Sequence, residues 1–147
     1  MRQKLIILKT LLWLDDVRNP FEDDWLPLWA PRKDYSEVVW VENFQEFTDW
    51  ISENGLPYCI CFDHDLADEH YTPAHLWEDY QASKQYQERQ NYTEKTGYDC
   101  AKWLVDYCMD NEEPIPPYRV HSANPIGRDN IISYLENYKN NVDHGKI

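Results

Sequence analysis

Three apolar runs in this chain end abruptly in acid or histidine. Leu11-Leu12-Trp13-Leu14 stops at Asp15-Asp16, Tyr58 to Phe62 stops at Asp63-His64-Asp65, and Tyr118 to His121 gives way to Ser122-Ala123-Asn124. A continuous apolar run that ends in charge is the pattern of a strand buried on both faces of a parallel sheet. Val38-Val39-Trp40-Val41 has the same apolar character, and the first run can extend back to Leu5.

Helical patterns alternate with these runs. Asn43 can cap a helix in which Phe44, Phe47 and Ile51 share a face, with Glu46 in the first turn and Gly55 at the end. Another starts at Thr96, where Asp99 completes a capping pattern and Ala101, Leu104, Val105 and Cys108 form a buried stripe. The last opens at Asn124-Pro125, carries Ile131, Leu135 and Tyr138 along one side, and frays after Asn140. This alternation predicts an α/β fold with a small parallel sheet, about four strands flanked by helices and joined by right-handed crossovers.

Two segments break the pattern. Residues 19–35 hold Pro20, Pro27 and Pro31 with Trp25 and Trp29, which predicts an irregular loop with one short helix. Residues 66–95 are rich in Glu, Gln and Tyr, with Thr72-Pro73 placed to start a helix running to about Gln90. This polar helical insertion is either a solvated excursion or a flap over the site.

The 147 residues suit one domain, and 42% hydrophobic content is enough to build a core. A formal charge of −13 should repel long nucleic acids, whose binding rests on Lys and Arg. An anionic substrate then needs a local positive pocket or a metal ion. Cys59, Cys61, Cys100 and Cys108 form no C-x-x-C pair, so they argue against structural zinc. Free thiols in apolar runs fit a reducing, cytoplasmic setting. The run from Leu5 to Leu8 has no small-residue cleavage site after it, and no stretch is long and apolar enough to span a bilayer. The oligomeric state is not legible.

Ligands of open parallel sheets bind beyond the carboxyl ends of the strands. The three polar run-ends therefore converge on one crevice. Asp15, Asp16, Asp63 and Asp65 repel one another if ionised and bare, and a hard cation answers that repulsion. Asp15, Asp16 and Asp63 thus suggest a Mg²⁺ or Mn²⁺ site, although single aspartates also cap turns and helices. His64 and His121 can supply a general acid and a general base, or serve as hydrogen-bonded structural residues. The helix start at Asn124 offers unpaired amides to an anion, and Arg128 in its first turn opposes the helix dipole. Arg128, Ser122, Asn124 and Arg18 are therefore candidates to grip a phosphate, with an exposed surface arginine as the plainer account of Arg128. Asp65 can orient a histidine or a metal-bound water.

Leu14-Asp15-Asp16, Asp63 and Ser122-Ala123 resemble the response-regulator receiver domain. That resemblance implies a receiver- or flavodoxin-like sheet, a metal held by the acidic pair and Asp63, and phosphoryl contact at Asp63 and Ser122. The receiver's fifth strand and its lysine have no counterpart, since Lys146 stands in a polar tail. A fuller pattern is W-L-D-D-V-R-N-P at 13–20, F-D-H-D-L at 62–66, T-G-Y-D at 96–99 and H-S-A-N-P-I-G-R at 121–128. These segments resemble the cyclic-phosphate-processing receiver domains of bacteria and their phages. The resemblance implies hydrolysis or transfer at a cyclic phosphate of a nucleotide or RNA end, with His64 and His121 as acid and base. The partner expected is accordingly a small phosphorylated substrate or a nucleic-acid terminus, with no membrane.

Other readings stay open. Asp63-His64-Asp65 also looks like the D-x-D of haloacid-dehalogenase-type phosphatases. A non-enzymatic module, phosphorylated on Asp63 or sensing a nucleotide, is the rival class. An interaction protein anchored by Trp25, Trp29 and Trp77 is a third.

Overall fold

The computed structural model describes residues 8–67, 70, 73–76, 78–89 and 94–143. Leu5, Thr72, Trp77, Gln90 and Lys146 lie outside these residues. The sheet is built from β1 (Thr10–Leu14), β2 (Glu37–Val41), β3 (Cys59–Phe62) and β4 (Tyr118–Val120). All pairings are parallel, in the order β2-β1-β3-β4. The chain runs outward from β1 to β2, then returns to the other side of β1 for β3. The reversal point lies between β1 and β3, where an open parallel sheet leaves its crevice.

Register fixes which side chains share a face. Trp13 pairs with Cys61, and Cys61 with Arg119. Their face carries Leu11, Trp13, Cys59 and Cys61, with Ala30, Trp25, Leu26 and Trp29 packed against it. The other face carries Leu12, Leu14, Ile60, Phe62 and Val120, and it makes the larger core. Phe47 and Ile51 of α2 (Phe44–Asn54), Leu104 and Cys108 of α4 (Gly97–Asp110), and Ile131 and Leu135 of α5 (Pro125–Asp143) fill that core. The strands alternate between the two faces, so both cores draw on β1, β2 and β3, while β4 gives Tyr118 and Val120 to the larger one.

The caps follow the sequence. The Asn43 side chain accepts from the Glu46 amide, and Gly55 ends α2 with φ 83°. Thr96 and Asp99 form a reciprocal capping box at α4. Asn124 Oδ1 accepts from the Gly127 amide at 3.0 Å, with Pro125 in the first helical position. The short helix in the proline-rich loop is α1 (Trp25–Trp29). The last helix continues to Asp143, three residues beyond the expected fraying point. No helix among the described residues is long and apolar enough to cross a membrane.

The insertion differs from the single helix expected. A 3-10 turn at Ala74–Leu76 is followed by a separate helix, α3 (Tyr80–Glu88). Asp79 restarts the chain by accepting from the Ala82 amide, and Ser83 Oγ donates to the Leu76 carbonyl. A side-chain cap and a back-bonded serine favour a break over a continuous helix. His70, fully buried, staples the insertion to the domain. Its Nδ1 accepts from the Leu66 amide at 2.9 Å and its Nε2 donates to the Glu94 carbonyl at 2.8 Å.

Replacing His70 by alanine leaves a buried amide and a carbonyl without these partners, at a cost of about 1–3 kcal/mol. Urea denaturation of His70→Ala should show that loss, and hydrogen exchange should speed up in α3 before the sheet. An unchanged midpoint contradicts the staple.

Candidate functional site

Asp15 leaves the end of β1 fully buried. Its Oδ1 accepts from the amides of Val17 and Arg18, both at 2.8 Å. Its Oδ2 accepts from the Arg18 guanidinium at 3.1 Å and from His121 Nε2 at 2.8 Å. Burial alone pushes this carboxyl up, but the hydrogen bonds from His121 and from the Arg18 and Val17 amides outweigh it. The net shift is downward, so Asp15 is held ionised.

Asp63 leaves the end of β3 only 2% exposed. Its Oδ1 accepts from the His64 amide at 2.9 Å, whereas Oδ2 is buried with no hydrogen-bond partner. Arg18 stands 3.7 Å from that oxygen. Burial pushes the Asp63 carboxyl up to about 8, with the charges of Asp15 and Asp65 adding to the effect. Arg18 and the Ser122 hydroxyl pull the other way without prevailing. One acid of the Asp15–Asp63 pair is thus ionised and the other resists ionisation.

Asp16, half-buried, completes the cluster. Asp15, Asp16 and Asp63 each offer a carboxylate oxygen, and the three oxygens lie within 4.8 Å of one another. Three hard oxygen donors, one of them an orphaned buried atom, suit a divalent cation. The donor set can therefore hold a metal ion.

His121 is locked rather than free. Its ring stacks on Trp13 at 4.2 Å and 11°, with Trp29 tilted against it at 6.4 Å. Nε2 donates to Asp15, leaving Nδ1 buried and without a partner. Burial lowers its pKa and outweighs the pull of Asp15 in the other direction. The neutral form is favoured, and Nε2 is tied to Asp15.

His64 sits on the opposite face of the sheet, above the start of α5. Nδ1 lies 2.7 Å from Asp65 Oδ1, which also accepts from Asn124 Nδ2 at 3.1 Å. The network assigns the proton to Nδ1, and the His64 ring lines a cavity. That cavity holds about 330 Å³ and is walled by Lys84 and Gln87 of α3, Tyr98 of α4 and Asn130 of α5. The insertion is thus part of the site's wall, and Gln87 donates to Asn124 Oδ1 at 3.0 Å.

Two glycines permit this packing. A Cβ on Gly97 would lie 1.8 Å from the Asp63 carbonyl oxygen, while the Gly97 amide donates to the His64 carbonyl at 2.8 Å. A Cβ on Gly127 would lie 2.2 Å from the His64 ring. Both close approaches need glycine. Neither glycine was singled out as a site residue; their place in T-G-Y-D and I-G-R was the available signal. Trp13 stands at the head of W-L-D-D-V-R-N-P, but nothing in that motif shows that its ring stacks on His121.

The structure brings Asp15, Asp16, Arg18, Asp63, Ser122 and His121 around one cluster, and His64, Asp65 and Asn124 around a second. Arg128 joins neither group and lines a groove beside β4. His64 and His121 do not face each other, because they alternate to opposite sides of the sheet.

Two outcomes follow. Gly127→Ala should displace the His64 ring and cost about 1–3 kcal/mol, measurable by denaturation and by the His64 ring resonances. With chelator present, the raised Asp63 pKa makes the folded chain bind more protons than the unfolded one between pH 4 and 8. Its contribution to stability is therefore present below about pH 4 and lost as pH rises through 8. Asp63→Asn should flatten that slope in a thermal-melt series, and an unchanged slope contradicts the assignment.

The description "cyclic-phosphate processing receiver domain" belongs to a family model that matches residues 10–137. No curated protein and no solved structure matches the chain. The match spans all four strands and both halves of the site, so the chain belongs to the cyclic-phosphate processing receiver domain family.

Proposed function

We propose that this protein is a metal-assisted phosphoesterase that opens a cyclic phosphate on a nucleotide or RNA end. The observation that carries this reading is the His64–Asp65 pair, with Nδ1 2.7 Å from the carboxylate and the ring at a cavity. An imidazole anchored at Nδ1 by a carboxylate is oriented to exchange a proton through Nε2. The pair follows Asp63 directly in the chain but lies on the other side of the sheet from the carboxylate cluster, so a substrate that uses both must reach across the end of β3.

Asp15, Asp16 and Asp63 would hold a cation, with Mg²⁺ or Mn²⁺ favoured by the all-oxygen donor set. When bound there, such an ion supplies positive charge to a phosphoryl oxygen. His64 Nε2 takes a proton from water as its oxygen bonds to phosphorus. The ring phosphorus–oxygen bond breaks, and the leaving ribose oxygen takes that proton back from His64. Asn124 and Asp65 keep the imidazole aimed, and Lys84 adds positive charge at the cavity wall. Arg18 and Ser122 flank the reacting oxygens from the Asp63 side. His121 acts as a positioning residue through Asp15 rather than as a proton donor.

A second reading has its own support. The unpartnered Asp63 Oδ2 is what a phosphoacceptor oxygen requires, which favours a non-enzymatic receiver-like module. Phosphorus NMR of a 2′,3′-cyclic nucleotide with the protein and Mg²⁺ separates the two. The enzyme reading expects a new monoester peak that disappears with chelator and in Asp63→Asn. His64→Gln should slow turnover by about 10²- to 10⁴-fold. No monoester, together with an acyl phosphate formed from acetyl phosphate and lost in Asp63→Asn, selects the module.

A further inference from the structure

Among the described residues the sheet stops at β4, but the layers on either side of it do not. β4 is an edge strand of three residues. Its pairing with β3 uses the Pro117 carbonyl, which accepts from Ile60, and the His121 amide, which donates to Phe62. Backbone groups alternate in direction along a parallel strand. Tyr118 and Val120 therefore turn their amides and carbonyls outward, to the open edge. Beyond that edge, Trp29, Pro31 and Arg32 overhang from the α1 side, and Arg128, Ile132, Glu136 and Lys139 from α5. The slot between them holds about 700 Å³. An extended residue between packed layers fills about 3.3 × 4.8 × 10 Å, or ~160 Å³. The slot thus fits about four residues of a further strand, close to the length of β4 itself.

Charge narrows the occupant. The chain carries −13 overall, yet Arg32, Arg119, Arg128 and Lys139 converge here. None of the three arginines pairs with a carboxylate among the described residues. The two acids of the slot are engaged: Glu136 with Tyr118 and Lys139, and Asp129 with the Tyr80 hydroxyl. A second copy brings its own arginines edge to edge, which like-charge repulsion opposes. A single-stranded nucleic acid needs open aromatic faces for its bases. The Tyr118 ring is instead covered, with Phe62 edge-on at 6.3 Å and Lys139 over it at 5.8 Å.

We infer that the β4 edge is a docking slot for an extended acidic peptide of another protein, which pairs with Tyr118 and Val120 as an added strand. Strand addition takes affinity from the main chain and selectivity from alternate side chains. Arg119 lies on the α1 side of the sheet, with its guanidinium on the Leu28 carbonyl, and Arg32 lies beside it. Ile132 lies on the other wall, 37% exposed. The favoured peptide therefore alternates acidic and aliphatic residues, acids toward Arg32 and Arg119 and aliphatics toward Ile132.

The test is fluorescence anisotropy with a labelled short peptide of alternating glutamate and valine, run on the full chain. Binding should weaken with salt and fall about tenfold in the Arg32→Glu/Arg119→Glu double variant, whose melting is checked separately. The same peptide N-methylated on alternate residues tests the main-chain pairing without altering the protein, and it should not bind. Hydrogen exchange should show protection at the Tyr118 and Val120 amides. The inference is overturned if the peptide does not bind, if lysine-valine or N-methylated peptide binds as well, if oligouridylate binds more tightly, or if the slot is filled by dimerisation in sedimentation.

Discussion

Two buried carboxylates at the reversal point of the sheet set the terms for everything around them. Asp15 and Asp63 come from neighbouring strands and cannot both be ionised in that environment without positive charge. The fold answers in part with its own groups. Arg18 reaches both acids, and His121 bonds Asp15. That answer leaves Asp63 with one oxygen that accepts no hydrogen bond and a carboxyl pushed up to about 8. The Asp15–Asp63 pair is thus balanced for one negative charge, and a divalent cation would favour the second.

The sheet separates duties by face. Odd-numbered side chains at the strand ends, Asp15, Asp63 and His121, meet on the Trp13 side. His64 alternates to the side covered by α4 and α5, where Asp65, Asn124 and the insertion surround it. The peptide link between Asp63 and His64 is all that divides an acidic cluster from an oriented imidazole. Gly97 and Gly127 make that closeness sterically possible. The aromatic stack of Trp13 on His121 keeps water from the buried Asp15 side and fixes the ring plane.

Much of this was legible in the residues. Each apolar run became a strand, the acids and histidines fell at strand ends, and Asn43, Thr96 and Asn124 capped helices as their spacing suggested. What was not legible depended on register and on contacts across the fold. His64 and His121 look equivalent in sequence because each follows an apolar run. Only the pairing of Cys61 with Arg119 shows that they alternate to opposite faces. Arg128 follows a helix start that can bind anions, yet its side chain extends to the β4 groove, a matter of helix rotation that a linear motif does not encode. The break between the 3-10 turn and α3 depends on Asp79 and Ser83 acting together, which weak periodicity in a polar segment conceals.

The account rests on a cation drawing the proton from Asp63, and proton linkage tests it most directly. Titration calorimetry of Mg²⁺ or Mn²⁺ into the protein at pH 7, in buffers of different ionisation enthalpy, counts the protons released on binding. Asp63, pushed up to about 8, is mostly protonated at that pH, so saturable binding should release close to one proton, and Asp63→Asn should release none. Binding with no proton release, or no binding at all, contradicts the central role given to this carboxyl.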